Sequence, residues 1–299
     1  MSRYVWVAHA GEDTLGLWEV EPLREIGRID VAAQSGIKGL GLRRLAWDPL
    51  RGRLYVSCTY ANCVGVVDVK RKEWVETVYV GAAPTDICIC NDRILVCCCE
   101  SESLWALDRG TPSAVGCVQL PGFPYSMDNS NHRLLLCCMS RPAVWSMDET
   151  LNVADVLPLQ NAPMCATKLP DGDMLITLLP YNSDKNGRLV RMDVRTGTIS
   201  RALDMGMMPG IVRLSPDNTL AVAVNMSESE VFLLEPETFV VQKRQTGAMP
   251  DDVLFLPEGT GMLVSCMLEE KIVHFDMQGK MVRSAQTGKE PRGMALCEI

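Results

Sequence analysis

Apolar and polar positions alternate along this chain in blocks. From Leu45 to Pro84 the apolar runs are LAW, LYVSC, VGVVDV and VETVYV, rich in Val, Tyr, Trp and Thr. Between them lie DPLRG, TYAN and KRKE, made of turn-forming or charged residues. Runs of this length and composition predict strands and not helices. The segment ends in VGAAP, and a similar block then begins again.

Three markers repeat in one phase. Closing prolines stand at Pro84, Pro124, Pro163, Pro209, Pro250 and Pro291, separated by 40, 39, 46, 41 and 41 residues. Apolar runs end in an acid at Asp68, Asp108, Asp148, Asp193, Glu235 and Asp276. Turns follow the first strand as DPLRG at 48–52, LPDG at 169–172, SPDN at 215–218 and LPEG at 256–259. Six units result, near 43–84, 85–124, 125–163, 164–209, 210–250 and 251–291. Residues 1–30 align on strands two to four of a unit, with REIGRID as the fourth, and 292–299 read as a first strand.

The two ends therefore complete a seventh unit. Four-stranded units of this period predict an all-β, seven-bladed β-propeller, one domain over 1–299 whose ring closes through both termini. Each blade would pack both faces on its neighbours, which explains runs such as ILVCCC that lack alternation. At RLYVSC and VETVYVGAAP the repeat resembles the YVTN type of YncE-like propellers, over nearly the whole chain. The resemblance implies the fold; such folds host several roles, so it does not fix an activity.

The net charge of −8, without a basic stripe, argues against nucleic-acid binding. MSRYVWVAHAGEDT lacks the apolar core of a signal peptide, and no run approaches a membrane span. The expectation is a soluble, monomeric, cytoplasmic protein with no membrane partner. Thirteen cysteines, mostly inside strands, fit reduced, packed thiols better than disulfides. CxC at 88–90 and CCC at 97–99 are not zinc-type pairs, and neighbours along a strand point to opposite faces.

Topology decides which loops meet. The loop into strand one and the loop between strands two and three share one face, the top. Residues just after the closing proline then ring the channel mouth, with Leu42 standing for proline in one unit. In circular order, four consecutive blades carry charge there: Asp251 and Asp252, then Arg292, then Arg43 and Arg44, then Asp86. The remaining arc carries Tyr125, Ser126, Met164, Cys165, Gly210 and Ile211. A half-charged, half-apolar mouth suits a small anionic ligand. The competing reading is that the charges pair with one another and line a rim.

His9 ends strand two of the closing blade, beside Arg292, and joins the candidate mouth residues, although other blades have Cys58, Cys98, Cys138, Leu178, Asn225 and Cys266 there, a pattern of packing. His9, His132 and His274 lie on different blades, so no histidine metal cluster is expected. Nothing like GxSxG, a P-loop or a dinucleotide fingerprint is present, and no cofactor is expected. A calcium site would have only Asp86, Asp251 and Asp252, separated by blades carrying Arg. The insertion at 180–187 reads as a lid, a contact loop or a neutral insertion. Two functions compete: a binding or scaffold propeller presenting its top face to an anion or protein partner, and a channel-mouth lactonase, hydrolase or lyase using Asp251, Asp252 or His9.

Overall fold

The computed structural model describes residues 4–129, 134–148, 151–180 and 186–297. His132 and residues 181–185 of the predicted insertion lie outside the described residues. The chain forms seven antiparallel sheets of four strands each, a seven-bladed β-propeller. First strands contact one another in succession around the ring, so they line the channel.

Middle strands are apolar on both faces because both faces are covered: Leu134–Cys138 is buried at every position. Fourth strands are mostly exposed, as in Ala114–Gln119 and Val153–Pro158. The closing blade follows the order Pro291–Cys297, Tyr4–His9, Thr14–Glu19, Arg24–Asp30. Trp6 of this blade faces Ala295 across the ladder and is fully buried. A short helix, Val31–Ser35, capped by the Asp30 carboxylate, then leads towards the next blade.

The closing proline has a fixed place. Pro84, Pro124, Pro250 and Pro291 lie opposite Cys98, Cys138, Cys266 and His9, the last residues of their second strands. The residue before each of these prolines is left-handed: Ala83, Phe123, Met249 and Glu290 have φ of 53°, 64°, 59° and 51°. Its carbonyl then accepts from the backbone N–H just past strand two: Cys99, Met139, Met267 and Ala10, at 3.0–3.1 Å. The loop into each blade is thereby tied to the end of that blade's second strand.

Candidate functional site

The second residue after the closing proline does one job in several blades. Asp86 accepts from the Met127 N–H of the next blade at 2.7 Å, and Asp252 from the Met294 N–H at 3.0 Å. Ser126 donates to the Met164 carbonyl at 2.7 Å, and the Cys165 thiol reaches the Val212 carbonyl at 3.5 Å. These side chains staple one inner strand to the next. Each aspartate fills its other oxygen with the following N–H, of Ile87 or Val253. Asp86 and Asp252, expected as ligand contacts, are thus occupied by backbone.

Gly293 holds the same position in the closing blade and has no side chain to give. A Cβ there would stand 2.4 Å from the Arg43 carbonyl oxygen and 2.8 Å from the Arg44 Cα. The two inner strands therefore lie very close, and Arg44 spans the closing blade. Its guanidinium meets Asp251 at 2.6 Å and Asp252 at 3.8 Å. Arg292 approaches the other Asp251 oxygen at 3.5 Å. Arg43 points the opposite way and donates to the Tyr125 hydroxyl, its guanidinium carbon 4.8 Å from the ring centroid. Two adjacent arginines of one strand so bridge the mouth over five consecutive blades.

Burial pushes the Asp251 carboxyl up, but Arg44, Arg292 and Arg43 outweigh it and hold it below the ordinary range. Burial prevails at Asp252, whose carboxyl is raised despite Arg44 and Arg213. Arg44, although buried, is raised because Asp251, Asp252 and Asp86 surround it.

Below this bridge lies a cavity of about 290 Å³. It starts at the level of Arg44, Asp86 and Asp252 and runs down the channel to Pro216, in a turn between strands one and two. The expected site was the top mouth; this cavity begins at the level of its residues Arg44, Asp86 and Asp252 and extends beneath them. Arg213, which the pattern reading missed, lines this cavity with Leu45, Leu214 and Phe255. Its guanidinium is 3.9 Å from Asp252, and its side chain is 28% exposed.

His9 is not a member of this site. Its fully buried ring has Nδ1 2.9 Å from the Thr14 hydroxyl and Nε2 accepting from the Gly288 N–H at 3.4 Å. Because an N–H can only donate, Nε2 is unprotonated and Nδ1 carries the proton. Thr14 in turn donates to Glu12 at 2.9 Å. Burial first, then Arg28, lowers the imidazole pKa from 6.5 to about 4 against the opposing pull of Glu12 and Glu25. His9 is a neutral packing residue under the loop into its blade.

All thirteen cysteines lie among the described residues and none is in a disulfide. Among the described residues, no group of three or more His, Cys, Asp or Glu could hold a metal ion. No helix among them is long and apolar enough to cross a membrane.

No family model matches the chain, and no curated protein matches its sequence. Solved structures do. A Lactobacillus plantarum protein is 14% identical, with TM-score 0.78 and 100% of both chains covered. A functionally unknown protein of Desulfotomaculum acetoxidans is 13% identical, with TM-score 0.77 and 99% of both chains covered. A candidate 6-phosphogluconolactonase of Bacteroides fragilis is 13% identical, with TM-score 0.75 and 99% of this chain and 98% of that chain covered. At such identities the likeness shows the propeller fold and nothing finer.

Proposed function

We propose that this chain is a YncE-like, YVTN-type propeller that binds a small anionic molecule in its central channel. One observation carries the reading: four guanidinium groups, of Arg43, Arg44, Arg213 and Arg292, gather around a channel that holds a cavity. An acidic protein that concentrates arginine here gains a local field that attracts anions. Free thiols throughout support a reducing, cytoplasmic setting. The test is a thermal-shift screen of carboxylates and phosphates beside their uncharged amide or ester analogues. At about 100-fold over Kd an anion should add about 2.7 kcal/mol, a rise of several degrees. If anions stabilise no better than their neutral analogues, the reading falls.

A second reading, hydrolysis of an anionic lactone, is favoured by the raised Asp252 carboxyl on the cavity wall. The lactonase assignment of one structural neighbour agrees with it. Turnover of 6-phosphogluconolactone that Asp252→Asn abolishes, while ligand-induced stabilisation persists, would establish it. Absence of turnover in the wild type would remove it.

A further inference from the structure

We propose that the channel cavity takes an amphiphilic monoanion, a carboxylate on a straight aliphatic tail, with Arg213 as the anchor for its head. This rests on the reading of the channel as an anion site and names the class of anion.

The aspartates that line the cavity are committed to backbone N–H groups, and the buried Arg43 Nε and Thr85 hydroxyl, which lack partners, lie outside its wall. Arg44 is held by Asp251, Arg292 lies against the same carboxylate, and Arg43 is spent on Tyr125. Both oxygens of Asp86 and both of Asp252 accept backbone N–H groups. Arg213 has no hydrogen bond among the described residues, and its carboxylate neighbour Asp252 is at 3.9 Å. A guanidinium carries five N–H donors in a planar fork that matches a carboxylate. Partly exposed and facing the cavity, it is the group there with donors to offer.

The rest of the cavity decides the tail. Beside and below Arg213 the cavity is walled by Leu45, Leu214, Leu254 and Phe255 and reaches Pro216. These are apolar side chains, and each of the four named first is only partly buried. A head at Arg213 would leave its tail along this wall, pointing to the turns between strands one and two. One partly exposed guanidinium facing the cavity matches a head of one negative charge. A cavity of about 290 Å³ is at the small end of ligand sites, enough for a tail of about six to eight carbons.

The experiment titrates acetate, butyrate, hexanoate, octanoate and octanamide into the full chain by calorimetry. Wild type should bind more tightly by about fourfold per added methylene up to octanoate, following the usual gain per buried CH₂. Octanamide should bind at least tenfold more weakly than octanoate. Arg213→Gln should lose at least tenfold for octanoate, and Arg213→Lys should recover some of that loss. Leu254→Gln should flatten the dependence on tail length. Melting curves of each variant establish that it is folded. Binding that ignores tail length, or an Arg213→Gln protein that binds octanoate as wild type does, overturns this inference but leaves an anion site standing. If neither these carboxylates nor any phosphate binds, the anion reading falls and takes the inference with it.

Discussion

His9 links a single buried ring to a measurable pH dependence. Its pKa is about 4 in the fold against 6.5 for a free imidazole. The unfolded chain therefore binds the extra proton between these values, and stability falls as pH drops through that window. The full effect is roughly 3 kcal/mol at about 1.4 kcal/mol per pKa unit. His9→Asn puts at this position the residue found at Asn225, its counterpart in another blade. Melting temperatures from pH 7.5 to 4.5 should fall more steeply for wild type than for the variant. Parallel curves would show that His9 is not held neutral. The residue scale also shows where pattern reading stops. The charged ring was legible because Arg43, Arg44, Asp86, Asp251, Asp252 and Arg292 fall at fixed distances from the closing proline. Their pairings were not, because Arg44 crosses to Asp251 only where Gly293 leaves a gap. Arg213 stands four residues after its proline, beyond the two positions that form the charged ring. Side chains alternate along a strand, so a residue two positions further on shares the face of the ring.

At the scale of the loop between blades, the recurrent Gly-x-x-Pro has a steric cause. Gly81, Gly247 and Gly288 each lie against the side chain that ends strand two. A Cβ would come within 2.9 Å of Cys98 Cβ, 2.9 Å of Cys266 Cβ and 2.6 Å of His9 Nδ1. The Gly247 N–H also donates to the Cys266 sulfur at 3.3 Å, and Gly288 does the same to His9. At Cys98 and Cys266 a small residue at the strand end and glycine in the loop are two halves of one contact. Gly247→Ala should cost about 1–3 kcal/mol, as overpacking does. Gly116→Ala, on an exposed fourth strand with nothing within 4 Å of the new Cβ, is the control and should be neutral or slightly stabilising. Equal melting temperatures for the two variants would contradict the steric account. The blade pattern was legible for the same reason: a contact repeated in several blades leaves a periodic mark in sequence. A contact made once, such as the bidentate pairing of Asp48 with Arg109 of the next blade at 2.7 and 2.6 Å, leaves none.

For the whole molecule the question is what keeps the ring shut. Six sheets are each built from consecutive strands, and the seventh joins Pro291–Cys297 to Tyr4–His9. Opening the ring elsewhere would pull apart a pair of blades that touch through side chains. Opening it here would also break a backbone ladder and uncover the edge of Tyr4–His9, an invitation to pair with another chain. Deleting 291–297 should therefore abolish the single cooperative transition or cause aggregation. That result alone would not distinguish closure from mere loss of a strand, so a permutant is needed. Joining the two ends by a flexible linker and reopening the chain between Gly36 and Ile37, in the exposed segment after the short helix, keeps every strand. The seventh blade then becomes continuous, and the seam moves to a contact between neighbouring blades, where Gly293 lies against Arg43 and Arg44. The permutant should fold with the same strand content but melt below wild type, because its ring is shut by packing without a shared ladder. Wild-type melting in the truncated protein would refute closure by the shared blade. Wild-type melting in the permutant would show that packing at the seam, with Arg44 reaching over to Asp251, is sufficient by itself.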